Sequence, residues 1–289
     1  MEKQVLAVIS YDGSRFYGMQ IQPNRPTIQG EIENALKKLN INSKITHAGR
    51  TDKGVHALNQ VISFKIPEFW EEEKLKNLLN QILFPSIYIK TIKKAPLNFH
   101  PRYAKKRSYR YLLSPTISPF TANYLTHYPK KINYSLLQEA LNILKGTHDF
   151  THFAKTGSDV KDYIRTIYSA KIFPYKNLSV INIQGNGFLR GQIRIIVDFL
   201  LKINEDILTI EDLKAQLEGK LISKHLAPPN GLYLERVWYH STLIESSYSS
   251  SKLIWTFGVG GFTISFWAFK TLTSLIHSKV GYTLSPTLL

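Results

Sequence analysis

The 289-residue chain has no cysteine and only two methionines. Without cysteine there is no disulfide framework, no thiolate nucleophile, no iron–sulfur cluster and no zinc site built on sulfur. Acidic residues are also scarce: 21 Asp and Glu stand against 37 Lys and Arg, a formal charge of +16. So basic a chain is drawn to polyanions, with nucleic acid the first candidate and an anionic membrane the second. The first residues, Met1-Glu2-Lys3-Gln4, lack the basic region and long apolar run of a signal peptide, so the protein is expected in the cytoplasm. One stretch, Leu253 to Phe269, runs 17 residues without a formal charge, the lower limit for a membrane span. It contains Gly258, Gly260 and Gly261 and follows the Ser-rich residues 245–251, which read as a linker. Membrane contact through 253–269 is therefore the less favoured alternative to an apolar appendage.

What is present is enough apolar residue, 43%, to bury a core in one large or two modest domains. Gln4 to Ser10 has the β-branched, apolar character of a buried strand, ended by the turn Tyr11-Asp12-Gly13-Ser14. Thr27 can cap a helix in which Ile28, Ile32, Ala35, Leu36 and Leu39 share a face. Further strands are expected over Gln60–Ile66, Ile87–Lys93, Tyr109–Leu113, Ile164–Phe173, Leu178–Gln184 and Gly231–Tyr239. Helices are expected over Pro67–Leu83, Ser135–Leu144 and Phe188–Ile203. Another is expected after Thr209, where Asp212 completes a capping box and Gly219 ends the helix. This alternation predicts an α/β (α+β) fold with helices packed on sheet. Residues 1–104 and 105–244 form two α/β units, and 245–289 an extension.

The segment His47-Ala48-Gly49-Arg50-Thr51-Asp52-Lys53-Gly54-Val55-His56-Ala57 lies between a helix and a strand, where a rigid scaffold presents a polar loop. Composition leaves two readings open, a solvated capped turn or a loop whose amides and cations surround a working carboxylate. The pattern His148-Asp149-Phe150-Thr151-His152 imitates metal-ligand spacing but has no third ligand nearby, so both histidines are expected to be structural. No metal and no cofactor is expected.

The 47–57 segment resembles the signature of the tRNA pseudouridine synthase A family, in which the aspartate of an A-G-R-T-D-x-G-V-H run is catalytic. Tyr11-Asp12-Gly13-Ser14-Arg15-Phe16-Tyr17-Gly18, Phe99-His100-Pro101-Arg102-Tyr103, Arg107-Ser108-Tyr109-Arg110-Tyr111, Asp149-Phe150-Thr151 and Gly231-Leu232-Tyr233-Leu234 are similar to further family blocks in the same order. The resemblance covers residues from about 4 to 240. It implies two related ferredoxin-like or RRM-like units with mixed, mainly antiparallel sheets and a basic cleft between them. It also implies a homodimer that isomerises uridines 38, 39 and 40 of the tRNA anticodon stem-loop.

On that resemblance Asp52 is the catalytic residue. Arg194, in a block similar to F-x-x-x-M-V-R, pairs with it; Arg50 occupies the gap left by the flipped base, and Tyr109 stacks on the target uracil. The chemistry agrees. Breaking an N-glycosidic bond leaves an electron-poor C1′, and a carboxylate relieves it either as a nucleophile or by removing the 2′ proton. A nearby guanidinium favours the ionised carboxylate. An Arg on the apolar face of a helix is costly to bury without such a partner, the alternative being that it snorkels to the surface. Tyr111 shares a strand face with Tyr109 and is expected in the core. The basic and aromatic run from Lys93 to Tyr111, including Arg102, Lys105, Lys106, Arg107 and Arg110, is expected to contact RNA.

The sequence departs from the family pattern at Met19, where Trp is usual, and around Arg194, with Ile193 for Val, Ile195-Ile196 for Asn-Ile and Asp198 for Gly. A catalytically inactive tRNA-binding protein or folding helper is the rival reading, and these changes near Arg194 are its support.

Overall fold

The computed structural model describes residues 1–155, 157 and 162–239. The Ser-rich stretch and the apolar segment 253–269 lie outside the described residues. Among the described residues no helix is long and apolar enough to cross a membrane.

Strand β1 (Glu2–Tyr11) is the expected apolar run, extended at both ends. It pairs antiparallel with β3 (His56–Pro67) on one side and β4 (Ile87–Lys94) on the other. Residues Val5 to Ile9 are almost wholly buried. Each such branched side chain taken from water contributes about 1.5–3 kcal/mol before the entropy of ordering is subtracted. Helix α1 (Ile28–Lys38) starts where Thr27 predicts it, the hydroxyl accepting from the Gly30 amide at 3.2 Å. Its buried stripe, Ile28, Ile32, Ala35 and Leu36, is the expected face.

Helix α2 (Glu72–Leu83) begins five residues later than the apolar pattern from Pro67 suggests. Pro67 still belongs to β3, opposite Glu2, so the chain has to leave the strand and turn before it can coil. A short strand, β2 (Thr46–His47), pairs with β3 just before the 48–55 loop.

Strand β5 (Lys106–Ser114) carries Arg107, Tyr109, Tyr111 and Leu113 on one buried face, as alternation predicts. Strands β6 (Thr126–His127) and β7 (Gly146–Asp149) flank helix α3 (Tyr134–Ile143). His148 and Asp149 lie in β7, and ring Nε2 of His148 meets the Lys145 carbonyl at 2.9 Å. After the hairpin β8 (Ile164–Tyr175) and β9 (Leu178–Gly185), helix α4 (Gln192–Asn204) starts four residues later than Phe188. Gly191 sits at its N-cap with φ 74°, a left-handed conformation that breaks helical continuity and favours glycine. Helix α5 (Ile210–Leu217) has the predicted capping box, Thr209 and Asp212 each bonding the other's backbone amide. Strand β10 (Leu232–Trp238) closes the described chain.

The ten strands of the described residues form one mixed sheet, in the order β4-β1-β3-β10-β5-β9-β8-β7, with β2 on β3 and β6 on β5. Strand β10 joins the halves, running parallel to β3 and antiparallel to β5. The loop before β3 therefore opens near the middle of the sheet, next to β10 and β5.

Candidate active site

Residues 48–55 are held by hydrogen bonds at most positions. The Ala48 amide donates to Val61 O at 2.9 Å, and the Gly49 carbonyl accepts from Gln60 Nε2 at 2.7 Å. The Thr51 carbonyl accepts from the Met19 amide at 3.1 Å, and the Thr51 hydroxyl meets Tyr11 Oη at 2.8 Å. Val55 N closes the turn on Asp52 O at 3.1 Å, with Gly54 at φ 78° inside it. Met19, where the family favours Trp, is fully buried and holds this loop through its backbone.

Two glycines of the Tyr11–Gly18 segment let that packing happen. A Cβ on Gly13 would stand 1.9 Å from Val55 O, and one on Gly18, at φ 100°, 2.5 Å from Thr51 O. The Gly13 amide lies 3.0 Å from Nδ1 of the buried His56, Asp12 Oδ1 lies 3.3 Å from the same nitrogen, and Nε2 meets Asn123 O at 2.9 Å. The His56 ring stacks on Tyr233 at 4.7 Å.

Asp52 Oδ2 lies 3.4 Å from Nη1 of Arg194, an ion pair across 142 residues of sequence. The Asp52 side chain is 28% exposed and that of Arg194 14%, so the acid faces outward from a sheltered cation. Arg194 does not snorkel; its Nε donates to Ala227 O at 2.6 Å, and the Ala227 amide returns a bond to Arg194 O. The unusual neighbours Ile193, Ile195 and Ile196 are buried, and Asp198 pairs with Lys202 at 2.9 Å.

Tyr109 is buried, with its ring edge-on to Phe188 at 5.3 Å. Its hydroxyl lies beside Gly49, 3.5 Å from where a Cβ would stand. Burial first, and then the charge of Asp52 against the opposing pull of Arg107, pushes the phenol up to about 12. It is a neutral donor at any working pH. Tyr111 is a core residue, as expected, bonded to Thr126 and to Pro228 O. Arg50 is exposed, two residues from Asp52. Lys53 lies over the Tyr17 ring at 4.2 Å, with Arg25 also over that ring at 4.6 Å.

The run from Lys93 to Tyr111 divides in two. Arg102, Tyr103 and Lys105 are exposed. Arg107 is buried among backbone carbonyls, Arg110 is paired with Glu235, and Lys106 covers the Trp238 ring at 4.2 Å. These three are occupied within the fold, a correction to the expectation that the whole run contacts RNA. Clustered charge does not reveal which members a fold consumes. His47, half-buried beside the loop, is driven down to about 4 by desolvation and by the charges of Arg50 and Arg102. From sequence Arg107 was expected at RNA, and neither Gln60 nor His47 was given a role of its own, although His47 opens the signature segment and Gln60 follows shortly after it.

The model of the family described as tRNA pseudouridine synthase matches residues 7–104 and 140–240. The chain is 44% identical over 253 residues to a tRNA pseudouridine synthase A of Streptococcus agalactiae, covering 84% of this chain and 97% of the relative. It is 40% identical over 240 residues to that of Campylobacter jejuni, covering 82% and 100%. It is 38% identical over 246 residues to that of a Geobacillus strain, covering 83% and 99%.

Proposed function

The chain belongs to the tRNA pseudouridine synthase family, isomerases acting on tRNA, and we propose that it converts uridines 38, 39 and 40 of the anticodon stem-loop with Asp52 as the catalytic residue. The observation that carries the reading is the pairing of Asp52 with Arg194 at 3.4 Å, in a loop whose backbone is held at nearly every residue. A carboxylate in this position faces outward while its counter-charge is anchored behind it, which suits a group that has to meet a sugar carbon.

In the proposed reaction the target nucleotide leaves its stack, at a cost of a few kcal/mol. The exposed Arg50 guanidinium occupies the vacated space. Tyr109 and the nearby Phe188 offer an aromatic wall for the uracil. Asp52 then serves the electron-poor C1′, either by attacking it or by taking the 2′ proton, and the N1–C1′ bond breaks. The uracil turns in place and bonds to C1′ through C5, which displaces the Asp52 carboxylate in the first route or is accompanied by return of the proton from Asp52 to C2′ in the second; the C5 proton is lost to a base and N1 gains one. The exposed Arg102, Tyr103 and Lys105 supply phosphate and stacking contacts next to the loop. We further propose that two copies act together on one tRNA, in the cytoplasm.

Mapping pseudouridine in an unmodified tRNA transcript after incubation with the purified chain tests the assignment. Modification confined to positions 38 to 40 is expected. Pseudouridine at other positions alone would contradict the site, and its absence would favour a tRNA-binding role without chemistry.

A further inference from the structure

Arg107 is a charged side chain inside the protein, 9% exposed, and among the described residues no carboxylate pairs with it. Its guanidinium is committed to backbone oxygens. Nε and Nη2 both donate to Ala48 O, at 3.1 and 2.9 Å. Nη2 also donates to Arg102 O at 2.7 Å, while Nη1 reaches Asn186 O at 2.8 Å and Ala104 O at 3.4 Å. Those carbonyls belong to three separate segments. Ala48 lies two residues before Arg50 and four before Asp52, Arg102 to Ala104 is the exposed basic segment, and Asn186 begins the turn that leads through Phe188 to α4 and Arg194.

Burying a guanidinium without a counter-ion is expensive, and a core position on β5 is otherwise well served by an apolar residue. A planar fork with five donors is, however, the one side chain able to bind several carbonyls from different directions at once. On the same loop, Gln60, fully buried on β3, donates to the carbonyl of the next residue, Gly49. Two successive carbonyls are thus held by side chains and not by a neighbouring strand, at the place where β2 ends and the signature loop departs.

We propose that Arg107, assisted by Gln60, is a positioning residue for the isomerisation: it sets the Ala48–Gly49 backbone, and through it Arg50 and Asp52, in register with the turn before Arg194. This rests on Asp52 being the reacting group. Arg107 touches neither substrate nor reacting atoms, and its loss should appear in the chemical step and not in affinity for tRNA.

The test compares purified full-length wild type with Arg107→Lys and Gln60→Met, measuring pseudouridine formation, affinity for unmodified tRNA and thermal melting. Arg107→Lys keeps the charge but loses the fork. Its kcat is expected to fall on the order of 10- to 100-fold, as a displaced reacting group should cause. Its tRNA Kd should stay within about twofold of wild type. Gln60→Met should show the same pattern with a smaller loss, and it carries the test alone if Arg107→Lys does not fold. A folded variant with unchanged kcat overturns the inference. So does a weakened Kd with kcat intact, which would make Arg107 a direct RNA contact. A wild-type chain that binds tRNA and forms no pseudouridine overturns the proposed function and this inference with it, whereas an active wild type with an unaffected variant overturns the inference alone.

Discussion

At the scale of single residues, the site is a carboxylate presented by a loop and a cation anchored by a helix. Asp52 and Arg194 are 142 positions apart and meet at 3.4 Å. Both were picked out through the resemblance of their blocks to the family's, since composition left the Asp52 loop open between a solvated turn and a working carboxylate and left Arg194 free to snorkel. His47 was not legible, since its state depends on neighbours from other segments. Burial, Arg50 and Arg102 hold its ring at about 4, below the ordinary 6.5. Above pH 6.5 it is neutral in both folded and unfolded chains and contributes no pH dependence. As pH falls from 6.5 toward 4 the unfolded chain takes up a proton that the folded one refuses, so stability is lost across that window. Denaturant midpoints should therefore fall less between pH 7 and pH 4.5 in His47→Phe than in wild type. Equal pH dependence in the two proteins would contradict the assignment. The same gap hid Arg107: its position in a basic run suggested RNA, whereas its environment, carbonyls from three backbone segments around one strand, is a property of the fold.

At the scale of elements, periodicity and caps were reliable where both agreed. Thr27 and Thr209 cap the helices they were expected to cap, and the apolar stripe of α1 is its buried face. Starts without a cap drifted, because apolar spacing alone does not say when a strand's pairing ends or when a left-handed glycine intervenes, as at Pro67 and Gly191. Strands β2, β6 and β7, two to four residues long, escaped notice because so few residues carry no readable alternation. The turn between β1 and α1 matters most for the site, because its backbone lies directly against the 51–55 loop. Gly13→Ala would drive a methyl group into Val55 O, where 1.9 Å is available. A loss of about 1–3 kcal/mol of stability is expected from such overpacking. Pseudouridine formation should fall further than stability does, because the displaced backbone is that of the Asp52 turn. Unchanged melting and activity would show that the two segments are not tightly apposed.

At the scale of the whole molecule, one sheet places chemistry from both halves of the chain at a single point. Strand β10 inserts between β3 and β5, so Asp52 from the first half pairs with Arg194 from the second, and its charge acts on Tyr109. The α/β class, with helices packed on sheet, followed from the alternation of patterns, and the mixed pairing from the family resemblance. The order of the strands did not, since pairing partners far apart in sequence leave no local trace. The charge of +16 acts at the same scale. Affinity for tRNA should weaken by roughly tenfold or more between about 50 and 200 mM salt, as released counter-ions require. A binding constant that barely moves across that range would argue against a phosphate-dominated interface.

The central claim is that Asp52 performs the isomerisation on a tRNA that the rest of the surface holds. The direct measurement is pseudouridine formed in a single-turnover reaction with unmodified tRNA, wild type against Asp52→Ala, with tRNA affinity recorded for both. Wild type should convert uridine in the anticodon stem-loop, while Asp52→Ala binds the same tRNA and forms no detectable product. An Asp52→Ala protein that still makes pseudouridine at the wild-type rate would contradict the account.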